Sequence, residues 1–170
     1  MKKYIYVFLF ITLVMNEAKA QFIIATDESA VLSNQSTLMQ FQDNDTRGII
    51  LPANINAQTS PTNGTFILDQ SDKKVKMFEN NNWVNLSEVG ELSSLITNNS
   101  TDNGDGVIVG ADSSNAEGVL VLESDDKALV LPRINDPVTN VNSPYPGMIA
   151  YDTKSKTIAI FDGKVWNFWK

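Results

Sequence analysis

The chain has 170 residues, of which 42% are hydrophobic and 19% charged, with a formal net charge of −7. That balance is globular and excludes disordered and collagen-like classes. There is no cysteine and no histidine. Disulfides, thiol nucleophiles, thiolate zinc sites, lipoprotein acylation, histidine triads and histidine-ligated metals are therefore excluded. The acidic balance argues against nucleic acid and anionic lipid as partners, and it permits Ca²⁺.

The first twenty residues, MKKYIYVFLFITLVMNEAKA, combine a Lys2-Lys3 n-region, an apolar run from Tyr4 to Met15 and a small-x-small site at Ala18-Lys19-Ala20. These are the marks of a secretory signal peptide, with cleavage after Ala20. The apolar run is shorter than the roughly 20 residues a spanning helix needs. An exported chain starting at Gln21 is expected, with no transmembrane segment. Its place would be the periplasm, the outer membrane or the cell surface. Removing the leader takes away three lysines and one glutamate, leaving a net charge of −9.

The remainder is written twice. FIIATD (residues 22–27) corresponds to VIVGAD (107–112), and DTRGIILP (45–52) to DDKALVLP (125–132). SPTNGTFILDQSDKKVKMFENNNWVNLS (60–87) corresponds, without a gap, to SPYPGMIAYDTKSKTIAIFDGKVWNFWK (143–170). Three blocks in the same order mark a duplication. The boundaries follow: signal peptide 1–20, first unit 21–87, connection 88–106 and second unit 107–170.

In the first unit, Ile49 to Leu51 form an apolar strand that Pro52 ends by removing a ladder donor. Strands are then expected at Phe66–Asp69, Lys74–Phe78 and Trp83–Leu86, the last two joined by an Asn80-Asn81 turn with positive φ. In the connection, Val89, Leu92, Leu95 and Ile96 fall on one helical face, so a short helix is expected, followed by a polar linker. The second unit repeats the pattern. Leu129 to Leu131 end at Pro132, and strands follow at Gly147–Asp152, Thr157–Phe161 and Val165–Trp169, with Asp162-Gly163 as the last turn. The expected fold is all-β and mainly antiparallel: two tandem copies of a small β-meander, with a short helix and linker between them.

The segments ALVLPRIND, PGMIAYDT and IFDGKVWNFW resemble repeats in secreted and surface proteins of Bacteroidetes-type bacteria, similar to phage tail-fibre-like stalk modules. The first unit matches less closely, with Ala53 for Arg133 and Leu68 for Tyr151. The resemblance implies a structural or stalk role and no catalytic residues. With no further domain recognisable after the second unit, a small assembly subunit is expected.

Three chemistries were tested against the residues. Asp102 to Gly106 resembles half of a Ca²⁺ loop, with Asn103, Asp105 and Asp112 as candidate ligands. Thr101 stands where the first ligand should be, and Asp112 replaces the bidentate glutamate. The same stretch reads as a solvated Asp- and Asn-rich turn. No other cofactor is expected. Aromatic residues, among them Tyr145, Tyr151, Phe168 and Trp169, could stack on sugars. Trp83 and Trp166 fall at equivalent repeat positions and read as core, so Tyr145, Phe168 and Trp169, together with Arg133, are the candidate partner contacts. Carboxylate pairs such as Asp43/Asp45 and the Ser155-Lys156 pair lie in turns, and no carboxylate stands out as buried, so no enzyme is expected. The reading is a non-enzymatic structural or interaction module of the bacterial envelope or surface, contacting a protein partner or itself. A small carbohydrate-binding module is the alternative, and a secreted hydrolase the third.

A unit of about 65 residues without disulfides buries a modest core. An isolated 107–170 fragment should therefore melt well below the whole protein. Thermal unfolding of both by circular dichroism checks this, and equal midpoints would refute it.

Overall fold

The structure, a computed structural model, describes residues 21–27, 36–43, 45–96, 104 and 106–170. The signal-peptide segment lies outside them. The first unit holds β1 (Phe22–Ile24), β2 (Thr37–Phe41), β3 (Ile49–Ile50), β4 (Ala53–Asn54), β5 (Phe66–Asp69), β6 (Lys74–Glu79) and β7 (Asn82–Asn85). The second holds β8 (Val107–Val109), β9 (Leu120–Leu122), β10 (Ala128–Leu129), β11 (Arg133–Ile134), a one-turn helix α1 (Pro137–Asn140), β12 (Met148–Asp152), β13 (Thr157–Phe161) and β14 (Trp166–Trp169). The fold is all-β, as expected. No described helix is long and apolar enough to cross a membrane.

The antiparallel meanders are present in both units and share one register. Phe66 pairs with Met77 as Ile149 pairs with Ile160, and Phe78 with Trp83 as Phe161 with Trp166. Each meander gains a short parallel strand, β4 on β5 and β11 on β12. Each unit also opens with a parallel pair, β1 on β2 and β8 on β9. The sheets are thus mixed, because after Leu-Pro the chain crosses over a loop and returns alongside the strand it feeds.

The Asn80-Asn81 turn is a two-residue hairpin with positive φ at both positions, 50° and 60°. The equivalent turn differs from expectation. Four residues, Asp162 to Val165, join β13 to β14, and only Gly163 has positive φ. The Asp162 carboxylate organises this wider turn by accepting from the backbone N–H groups of Lys164 and Val165.

The two units share one core. Leu68, Val75 and Leu86 from the first meander pack with Ile149 and Ile160 from the second, with Leu51, Leu92, Leu95 and Leu131 around them. A smaller cluster of Ile134, Met148 and Ala150 lies on the opposite face of the second meander, with Val141 and Trp166 against it. The Leu-Pro strands exchange partners between units. First-unit β3 pairs with second-unit β12, and second-unit β10 pairs with first-unit β2.

The expected helix at Val89–Ile96 does not form. Its backbone donors are spent elsewhere: Glu88 N–H on the Asn167 side chain, Gly90 N–H on the Lys73 carbonyl, and Glu91 N–H on the Asp162 carbonyl. The segment is an irregular strap between the two meanders, with one turn closed by the Leu95 N–H on the Leu92 carbonyl. Leu92 and Leu95 still reach the core, whereas Val89 and Ile96 are exposed. Gly90 is required here because a Cβ would lie 1.9 Å from the Asp162 carbonyl oxygen.

Ile160 is fully buried at the centre of the shared core. Ile160→Ala should cost about 2–5 kcal/mol. Because the core belongs to both units, urea unfolding should remain a single transition, monitored by tryptophan fluorescence and circular dichroism together.

Candidate self-assembly surface

The strand register gathers several of the sequence-derived candidates. Arg133 pairs with Tyr151, Tyr151 with Ile158, and Ile158 with Trp169. Paired residues in a ladder share a face, so these four form one row across the sheet. The equivalent first-unit row is Ala53, Leu68, Val75 and Leu86, which lies in the core. The second row carries arginine, tyrosine and tryptophan at three of its four positions; Arg133, Tyr151 and Ile158 are half-buried, Ile158 packs against the shared core, and Trp169 is exposed.

Arg133, Tyr151 and Ile158 of that row border a cleft of about 550 Å³ between β2 and β10 on one side and β11 to β13 on the other. Phe41, Leu129, Leu131 and Ile158 make its apolar wall, and Thr37, Gln40, Asp43, Arg133 and Tyr151 its polar one. Arg133 bridges the walls through an ion pair with Asp43 at 3.5 Å. Among the described residues the Gln40 side-chain nitrogen has no hydrogen-bond partner, but it is sealed from solvent, so a ligand in the cleft does not reach it.

The other candidates separate. The Tyr145 hydroxyl accepts from the Ile96 backbone N–H at 2.7 Å, anchoring the strap. Phe168 and Trp169 are both exposed on edge strand β14. As successive residues they face opposite sides of the sheet, so they do not form one platform. Trp83 and Trp166 pack on Phe78 and Phe161 with ring centroids 5.2 and 5.4 Å apart. Of the Ca²⁺ candidates, Asn103 and Asp105 lie outside the described residues, and Asp112 is exposed.

Among the described residues three carboxylates are buried, Asp69, Asp152 and Asp162, although none stood out as buried in the sequence. Asp69 and Asp152 occupy equivalent positions, each capping the first turn of its meander. Asp69 accepts from Ser71 and pairs with Lys76 at 2.7 Å. Asp152 accepts from the backbone N–H groups of Asp136, Lys154 and Ser155. Burial pushes both acids upward, but these hydrogen bonds outweigh it and hold them below the usual carboxylate range. Burial likewise pushes Lys76 down, and its bonds to Asp69 and Asp72 outweigh that and raise it. A strand-ending Asp followed by a polar turn was the available signal, but a turn Asp by itself does not reveal burial.

Several apolar strands are exposed outside the core. β1 is exposed along its whole length, and Val107, Ile108, Leu120 and Leu129 are exposed as well.

Residues 108–170 match the family described as "Phage tail like trimerisation region". That supports a phage-tail-like module in the second unit. It is a structural, self-associating type of region, not an enzyme family. The comparisons with curated proteins and with solved structures return no match. The first unit lies outside the matched residues, although its meander repeats the strand order and register of the second.

An acid depressed in the folded state stabilises the fold above its ordinary pKa, and that stability is lost as pH falls through the folded value. Stability should therefore drop below about pH 4. Asp152→Asn keeps one acceptor and turns an amide toward the Ser155 N–H, so it should cost about 1–3 kcal/mol at neutral pH. It should also flatten the loss on acidification. Urea unfolding at pH 7 and pH 3 checks both.

Proposed function

We propose that this chain is an exported, non-catalytic structural subunit of the bacterial envelope or cell surface that works as a homotrimer. The observation that carries this reading is the match of 108–170 to a trimerisation region. The leader-like first twenty residues and the acidic composition support export and solubility. The duplication supports a scaffold role, since what the copies share is their turns, core rows and strand order.

A protein partner outside the trimer would find its most distinctive surface at the Arg133–Tyr151–Ile158–Trp169 row, where the two copies diverge. The carbohydrate alternative is weaker. Its exposed aromatics Phe168 and Trp169 face opposite sides of β14, and the orphan Gln40 amide is closed to ligand.

Gel filtration coupled to light scattering tests the reading. The purified protein should have three times the mass found for its denatured chain by mass spectrometry, unchanged over a hundredfold dilution from the micromolar range. A monomer at all concentrations would refute it.

A further inference from the structure

We propose that three copies of this chain meet along an uncharged seam built from β1, β8, β9 and β10, so that the interface reaches into the first unit as well as the matched region. This rests on the trimer reading above and names the surface that makes it.

Strand β1 carries Phe22, Ile23 and Ile24 at 43 to 47% exposure. Successive strand residues point to opposite faces, so β1 is apolar and uncovered on both. Val107 on β8 and Leu120 on β9 are 58% and 45% exposed. These strands lie in all-parallel ladders, β1-β2-β10 and β8-β9. Parallel ladders are ordinarily covered on both faces. The residue that follows β8 lies against β2, where a Cβ on Gly110 would touch the Leu38 side chain. Val107, Ile108 and Leu120 of the ribbon itself remain exposed.

The duplication repeats the feature. FII and VIV are equivalent segments, both become strands, and both open their units exposed. Apolar exposure on this scale marks an interface in a soluble protein.

Charge favours copies of this chain as the occupant. The four strands read FII, VIV, LVL and AL, with no charged side chain. On an exported chain of net charge −9 they are where like-charged copies approach with least repulsion. The matched trimerisation region contains β9, β10 and all but the first residue of β8. A threefold ring closes such a seam and leaves no unsatisfied copy.

The chain contains no cysteine, so single thiols report the seam cleanly. Ile23→Cys, Val107→Cys and Leu120→Cys would each be made in the full chain, with Ile55→Cys, 76% exposed in a loop, as the free reference. Reaction with a thiol-reactive probe is followed under native conditions and in urea. The seam thiols should react at least tenfold more slowly than Cys at 55 in the native state, and equally fast in urea. Ile23→Lys should lower the trimer fraction at least tenfold, while Ile55→Lys leaves it unchanged.

If the protein is trimeric but the seam thiols react as fast as the reference, the seam proposal is overturned and the trimer reading stands. If the protein is monomeric with reactive seam thiols, both fail. If the thiols are protected in a monomer, the seam is closed by its own chain and the proposal is overturned as well.

Discussion

The structure depends on the contact between the two meanders through one apolar core. Leu68, Val75 and Leu86 from one copy meet Ile149 and Ile160 from the other. Neither meander has enough apolar surface to bury its inner face alone, and there is no disulfide to compensate. Everything between the meanders is arranged around that contact. The Leu-Pro strands cross to the opposite unit, and the strap from Glu88 to Glu91 spends its backbone donors on both.

The duplication also explains the functional asymmetry. The equivalent rows of the two copies meet different surroundings. The first row, Ala53–Leu68–Val75–Leu86, is in the core. The second, Arg133–Tyr151–Ile158–Trp169, borders the cleft through its first three residues and carries larger, amphipathic side chains. Such side chains tolerate a half-buried place, with the apolar body packed and the polar end wet. The divergence between copies is thus a consequence of position in the fold.

The parallel strands at the start of each unit follow a different logic. They are apolar on both faces, uncharged and poorly covered. The meanders bury their inner rows within one chain; on the seam proposal, these strands are covered by other copies. Intramolecular packing and the proposed self-association would then divide between separate parts of each unit.

Much of this was legible in the sequence. Period-two alternation and turn residues located the meanders, because a strand's faces and a turn's φ are local properties. Asn80-Asn81 and the Leu-Pro strand ends are examples. Trp83 and Trp166, read as core from their equivalence, are half-buried: Trp166 packs against the smaller cluster, and Trp83 makes an edge contact with Phe78. The helix at Val89–Ile96 failed because its apolar spacing was real but its backbone donors had stronger claims from Lys73, Asp162 and Asn167, distant in sequence. The same limit hid the burial of Asp69 and Asp152 and the strand β2. By itself, then, the sequence determined the duplication, the all-β class and where the meanders turn, though not the width of the Asp162 to Val165 turn; these rest on short-range backbone preference. Only the tertiary structure decided which strands pair across the units, which of two equivalent rows is core, and which apolar strands remain open, because those depend on what each face meets when the copies pack.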